Sequence, residues 1–592
     1  MKKLVADQIV EYLEKRGVTH VFGLCGHTII AMLDALSRSK QITFVNTRHE
    51  QIASTAADGY ARVSHKASIV LCHLGPGLTN AATGVANASL DGIPMVVIAG
   101  DVPSYYFGRH PHQEVNMHAD GDQFEIYRPF VKRAWRINDA ETFPRILDRA
   151  FRLAESGRPG PVLISVPMDM FSREIETELF TQTYKNTQEV SSPALDYQTA
   201  KRFAQRLVEA KQPVIHVGGG VRIAQAGKAL QALVEYLQIP LSRSLMAQSV
   251  LPDNHDLMLG QTGFWGSDFT HSLTTKADVI LAVGTRFAEA DSSSWYDGIT
   301  FDSSKTVFLQ IDIDPQEIGR NYPVEIGAVA NPKIALEQIL EEVKHLVPSP
   351  RSNPQLMEKI RQSREQFVRD NADVQNDNRY PLTPQRILRD VRKVLPEDAL
   401  IFTDVGWNKN GVGQQYGVSV PDTIFHPSGL ATMGFGPAAV IGAKLASPDK
   451  VVVTLVGDGG FGTNPSVLAT AREMNLPIIW VVMNNSAFGT IAGLEKSHYR
   501  TEFGTVFTHD GEPYSPDWAV IAQGYGVKAV KISSAEELEE KLKVALDSNE
   551  PYLIDCPMEN IPVPTPGIWN INDIYTTKPN VVNGRLLFDG ES

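Results

Sequence analysis

One stretch limits the fold more than any other: VVVTLVGDGGFGTNPSVLATAREMNLPIIWVVM (Val451–Met483), followed at once by Asn484, Asn485, Ser486 and Ala487. Two β-branched runs of strand length, Val451–Val456 and Ile478–Met483, flank a segment in which Val467, Leu468, Ala471 and Met474 share one helical face. The unit reads as a β-α-β crossover, and strands of this apolar character belong in a parallel sheet covered on both sides. A right-handed crossover sets Asp458 and Asn485 side by side at the carboxyl ends of adjacent strands, where open α/β sheets bind ligands. Gly459, Gly460, Gly462 and Gly489 let the backbone approach a phosphate closely. One carboxylate, one amide oxygen and one backbone carbonyl make a hard-oxygen set suited to Mg²⁺ carrying phosphate oxygens.

Asp, Asn and Gly also punctuate strand ends that bind nothing, and GDG alone is a weak signal. GDG followed, after a full helix and strand, by NN is far more specific. It resembles the diphosphate-binding motif of thiamine diphosphate (ThDP) enzymes. The resemblance implies that Asp458, Asn485 and the carbonyl of Ala487 hold the metal, with Gly457, Gly459, Gly460, Phe488 and Gly489 around the diphosphate.

Further blocks occur in that family's order. VNTRHEQIASTAADGYAR places Glu50 after a strand-like run (Ile42–Val45) and at the start of a helix. A lone Glu there is usually a dipole-compatible surface charge. The resemblance instead makes Glu50 the acid at the cofactor's pyrimidine N1′, which promotes loss of the thiazolium C2 proton. In LGPGLTNAATGVANA, Pro76 and Asn80 match positions near the cofactor. In SGLATMGFGPAAVIGA, Met433 matches the wedge under the bent cofactor and Ala431 the carbonyl that accepts from its 4′-amino group. A Met is otherwise ordinary core. In TDVGWNKNG, Trp407 and Asn408 match diphosphate contacts.

The resemblance spans nearly the whole chain and is nearest the acetolactate synthase, pyruvate oxidase and 2-hydroxyacyl lyase branch. It implies an α/β fold of three doubly wound parallel-sheet domains: 1–172 binding the pyrimidine, 193–345 Rossmann-like, and 380–558 binding the diphosphate. Residues 559–592 form a C-terminal extension, expected to act as a lid. Glu50 of one subunit would meet Asp458 and Asn485 of another, so a homodimer or homotetramer is expected. The polar stretch Thr181–Ser192 reads as a linker, and Met357–Asn371 as a helical connector.

Bulk properties fit. The chain has 592 residues, enough for about three or four domains. A net charge of −13 offers no basic footprint for nucleic acid. Apolar runs are strand-sized, so no membrane span is expected. The start, MKKLVADQIVEYLEKRGV, reads as an amphipathic helix rather than a signal. Three scattered cysteines give neither a disulfide framework nor a zinc site, and a cytoplasmic location is expected. No internal repeat is apparent.

The reaction expected from the resemblance is acetolactate synthase-like carboligation or 2-oxoacid decarboxylation on a small carbonyl substrate. Several positions depart from that pattern. Ala492 and Leu494 stand where synthases carry an Arg and a Trp that select the second 2-oxoacid. Gly263-Phe264-Trp265-Gly266 replaces their GMHG-like flavin turn, and Ala288 and Ala290 replace polar flavin partners, although Arg286 remains. The central domain is thus open to FAD, another ADP-containing ligand or none. GLCGHTII puts His27 in the loop over the thiazolium, as in ThDP enzymes that cleave cyclic 1,2-diketones, and a His there suits acid/base work. His110–His118 lies near the site mouth, with Gln113 the preferred contact and His112 and His118 further candidates. Glu495 is a second acid/base candidate, with a solvated Glu–Lys pair as the plain alternative. A lyase acting on a 2-hydroxyacyl-CoA, a 2-hydroxyketone or a 1,2-diketone is therefore the alternative, and a non-catalytic binding subunit the remote one.

Overall fold

A computed structural model describes residues 1–115, 123–185, 190–561, 581–582 and 585–586. Three six-stranded sheets organise the chain, and every pairing within them is parallel. The first runs, edge to edge, Thr43–Asn46, His20–Gly23, Ser68–Cys72, Met95–Asp101, Pro161–Pro167 and Ala134–Arg136. The third runs Ile424–Phe425, Leu400–Thr403, Val452–Gly457, Ile478–Asn484, Tyr552–Pro557 and Lys528–Lys531. Both have the same order, second-first-third-fourth-sixth-fifth along their own stretch of chain. The repeat that is invisible in the sequence is therefore plain in topology. Packing fixes only apolar character and period, so two such sheets share an order with little sequence in common.

The middle sheet runs Met258–Gln261, Leu241–Arg243, Pro213–Val217, Val279–Val283, Val307–Asp312 and Val324–Val329. That is the third-second-first-fourth-fifth-sixth order of dinucleotide-binding folds. Each sheet has a switch point where the strand order reverses, and a crevice opens beyond the carboxyl ends there. In the first sheet it lies between His20–Gly23 and Ser68–Cys72, and in the third between Leu400–Thr403 and Val452–Gly457.

The first and third modules share one hydrophobic core, from Phe22 and Val70 to Phe435 and Trp480. Its seam is the crossing of helix Glu50–Ser64 with helix Phe435–Ala446. Gly59 lies against the Ala439 backbone and Gly442 against the Ala56 carbonyl, so close that an added Cβ would collide. Small residues on both helices allow this. Buried Arg62 locks the seam: it donates to Asp58, to Asp91 (2.7 Å) and to the carbonyl of His426 (3.0 Å).

Three sequence expectations need correction. Lys2–Leu4 is a strand pairing antiparallel with Glu174–Glu176, and the helix starts only at Val5. The supposed linker is helical at its start, Thr177–Lys185, because Leu179 and Phe180 pack on the first module. The connector helix is longer than expected, Pro354–Gln375, with Pro354 in its first turn. Most of the 559–592 extension lies outside the described residues, as does His118. No helix among the described residues is long and apolar enough to cross a membrane.

Candidate active site

The third sheet's switch point carries the GDG turn. Asp458 opens a short helix, Asp458–Phe461, at the end of Val452–Gly457. Asn485 follows the neighbouring strand Ile478–Asn484. Asn485 Nδ2 donates to Asn560 Oδ1 at 2.9 Å. Its Oδ1 is thereby left 3.1 Å from Asp458 Oδ1 and 3.0 Å from the Ala487 carbonyl oxygen. Three oxygens facing one another without a proton between them repel. With both amides turned over, Asn485 would donate to Asp458 Oδ1 and the Ala487 carbonyl and accept from Asn560. A cation between them satisfies all three at once, and the set is of the hard-oxygen type that Mg²⁺ takes.

Burial adds a second sign. Asp458 Oδ2 is buried without a hydrogen-bond partner. Burial raises the Asp458 carboxyl to about 6, against the lowering pull of the Gly459 and Asn485 N–H groups. A nearby cation would relieve that cost. Among the described residues no three His, Cys, Asp or Glu side chains are placed to hold a metal ion. The set instead uses one carboxylate, one amide and one carbonyl.

Glycine shapes the surroundings. An added Cβ at Gly459 would sit 2.6 Å from the Phe488 ring, and one at Gly489 3.0 Å from Trp407. Beside Gly457 the space is open as far as Asn408 Nδ2, 3.9 Å away. Gly460 lies against Asp404. Trp407 is buried against the glycines of helix Gly489–Tyr499. The Asn408 side chain closes its own turn, accepting from Asp404 N–H (3.1 Å) and donating to the Val405 carbonyl (3.0 Å). Asp404, a residue the sequence reading passed over, accepts the Gly436 N–H at 3.0 Å and so caps helix Phe435–Ala446. Burial lifts its carboxyl to about 6.

Met433 is not core: 39% of it is exposed, in the loop before that helix. Ala431 holds φ +54°, a conformation uncommon for a side-chain-bearing residue, and lies in the same loop. Glu495 departs from its plain alternative. It accepts from Thr505 Oγ1 at 3.0 Å, whereas Lys496 pairs with Glu502. Ala492 is fully buried.

The first sheet's switch point carries the other half. Glu50 begins its helix and is buried. Asn80 Nδ2 donates to Glu50 Oε2 at 3.0 Å. Asn80 is on the helix that Pro76 opens, Pro76–Asp91, and Gly77 in its first turn leaves room beside Glu50 Oε1. His73, also missed in the sequence, stands next to this acid. Its Nδ1 is 2.7 Å from Thr28 Oγ1 and its Nε2 2.8 Å from Gln113 Oε1. Because the Gln113 oxygen only accepts, the tautomer that fits carries its proton on Nε2 and takes the Thr28 hydroxyl proton at Nδ1. His27 lies edge-on to His73 at 4.6 Å and stacks near His112 at 6.5 Å. Partial burial, then His73 and His112, hold its imidazole below the ordinary range. Gln113 thus meets His73, and His27 is exposed. No hydrogen bond or ion pair among the described residues links Glu50 to Asp458, Asn485 or Met433.

A cavity of about 730 Å³ lies where the three modules meet. Gly218 and Gly284, at the middle sheet's switch point, line it with Arg286, and Asp91, Lys409 and Ala431 line its other walls.

The thiamine pyrophosphate enzyme family matches in three parts: its N-terminal TPP binding domain over residues 3–125, its central domain over 200–339 and its C-terminal TPP binding domain over 404–556. Similar proteins include the probable acetolactate synthase large subunit of Methanocaldococcus jannaschii, 34% identical over 97% of this chain and 96% of that protein. The acetolactate synthase isozyme 3 large subunit of Escherichia coli is 33% identical over 92% of each chain. The acetolactate synthase large subunit of Lactococcus lactis is 31% identical over 92% of this chain and 91% of its own.

Proposed function

The chain belongs to the thiamine pyrophosphate enzyme family, in its acetolactate synthase branch, and we propose that with Mg²⁺ and ThDP it makes or breaks a C–C bond beside a carbonyl. The observation that carries the metal part is the convergence of Asp458 Oδ1, Asn485 Oδ1 and the Ala487 carbonyl on one point at the switch of the third sheet. When bound there, ThDP would supply the carbon nucleophile. The chain's own residues hold and shape the rest. Gly457 leaves open space for a diphosphate, Gly459 and Gly489 let Phe488 and Trp407 pack close beside it, Met433 offers an exposed apolar prop, and the turn at Ala431 presents its carbonyl. Glu50 holds the proton, with Asn80 fixing Oε2.

We propose that the site is completed between two copies, with Glu50 of one facing the oxygen set of the other. For the cavity where the modules meet, an ADP-containing ligand is proposed, FAD being one. The glycine turns at the switch point support a pyrophosphate there, and a flavin absorption band in the purified protein distinguishes FAD from a colourless nucleotide. The segment 559–592 is proposed as a lid: truncation after Ile561 should raise KM for substrate while ThDP binding persists.

A second reading rests on the His27–His73–Gln113 cluster, which brings an acid/base candidate and an amide but no Lys or Arg to meet a carboxylate, and so suits an uncharged 1,2-diketone better than pyruvate. Turnover of pyruvate against that of a cyclic 1,2-diketone decides between them. For the cofactor part the test is Glu50→Gln, which should retain ThDP binding and lose at least about 100-fold in rate. Near-normal turnover would remove Glu50 from the proton's path.

A further inference from the structure

A chain of net charge −13 has acids to spare, so cations left without a carboxylate beside one groove point to an anion from outside. A groove of about 1180 Å³ runs between the connector helix Pro354–Gln375, the middle module and the last turn of helix Trp407–Gln415. Arg364 lines it and donates only to backbone carbonyls, those of Asn254 (3.1 Å), His255 (2.9 Å) and Met258 (3.5 Å). Arg392 lies over the Tyr416 ring and donates to its hydroxyl at 3.4 Å. Neither of them, nor the exposed Lys359 on the same groove, forms an ion pair among the described residues.

Beneath them lies Arg243, only 3% exposed. Strand pairing sets it opposite Gln261, so both side chains leave the middle sheet on one face. Arg243 Nη2 donates to Asp253 Oδ1 at 3.1 Å and to the Gly413 carbonyl at 3.4 Å. Its Nε and Nη1 are buried with no partner among the described residues, as are both ends of the Gln261 amide. Buried donors left open on a guanidinium are costly, and an anionic oxygen is the acceptor that suits them best. Asp253 answers only in part, since its other oxygen takes the Val418 N–H at 3.2 Å. Met258, Trp265 and Phe367 add apolar surface along the same groove. We propose that this groove binds an organic anion, a carboxylate or phosphate carried on an apolar body, with Arg243 as its main contact. The site is separate from the cavity where the three modules meet, although Trp265 borders both, and it needs neither ThDP nor a metal.

The test titrates 2-naphthoate, 2-naphthyl phosphate and the uncharged 2-naphthamide into full-length protein at low salt, reading bound probe by equilibrium dialysis. At least one anion should bind about tenfold more tightly than the amide, the scale of a charge-assisted hydrogen bond, and the tighter anion names the acidic group. Arg243→Met should abolish that preference without lowering the unfolding temperature of the free protein, because it removes a buried guanidinium with open donors. Lys359→Glu, at an exposed position, should weaken the anion at least about twofold at low salt, whether or not Arg243→Met folds. Arg286→Gln, in the other cavity, should leave binding unchanged. The proposal is overturned if no probe binds, if the amide binds as tightly as both anions, or if Lys359→Glu has no effect. It is overturned too if Arg286→Gln abolishes anion binding while Arg243→Met spares it, which would put the probe in the cavity where the modules meet.

Discussion

Asp458 buries a carboxylate with no cationic partner among the described residues, so its replacement separates cofactor loading from folding. Asp458→Ala should fold and should need much higher Mg²⁺ and ThDP for activity, or lose it, and EDTA should inactivate wild type reversibly. Unchanged cofactor affinity in that variant would count against the ThDP site. At His27 the sign of the pH effect follows from its surroundings. Partial burial and two neighbouring imidazoles depress its pKa, so the neutral form persists below the ordinary value of about 6.5. If neutral His27 takes a proton during turnover, kcat/KM holds to lower pH than for a free histidine. His73→Asn removes one of those neighbours and should move the acid limb upward. A limb that stays in place would exclude His27 from proton transfer. Asp458 and Asn485 were legible in the sequence because their spacing across one crossover fixes their meeting. His73 was not, because it acts through Thr28 and Gln113, both about 40 residues away in the chain, and Asp404, though inside the TDVGWNKNG block, was passed over because its cap on the Gly436 N–H is made only by the fold.

At the scale of elements, the crossing of Glu50–Ser64 with Phe435–Ala446 depends on two glycines meeting backbone rather than flexible side chains. Neither glycine needs a positive φ, so the constraint is space alone. Gly59→Ala and Gly442→Ala should each cost about 1–3 kcal/mol, the usual scale of overpacking, seen as a lowered unfolding temperature. An unchanged midpoint would mean that the helices can move apart freely. The strands could be read from apolar runs and the crossover from helical spacing, because burial on both faces of a parallel sheet leaves that imprint. The crossing could not: small residues on a helix signal close approach without naming the partner. Strand Lys2–Leu4 was read as helix for a related reason, since its pairing with Glu174–Glu176 is set by the fold and not by local pattern.

For the molecule as a whole, buried histidines set the acid behaviour. Burial holds His216 neutral, down to about 3, and keeps His426 far below its ordinary range. Above about pH 6.5 both are neutral in either state and contribute no pH dependence. As pH falls from there toward 3, the unfolded chain binds protons that the folded one refuses, so stability drops, by at most about 1.4 kcal/mol per pH unit for each. Asp404 and Asp458, raised to about 6, pull the other way over the same range. Comparing His216→Gln with wild type cancels that opposition, and the difference in urea midpoint should shift in favour of the variant as pH is lowered from 7 to 5. A constant difference would place His216 in contact with solvent. The shared core of the first and third modules also bears on how the molecule would come apart. A protease cutting at the exposed residues Pro348–Pro350 would sever the chain between the first and third modules, which share one core across the helix seam. The halves, 1–349 and 350–592, would stay clasped through the Arg62 bridge and the helix seam, and would migrate as one particle until a denaturant pried them loose.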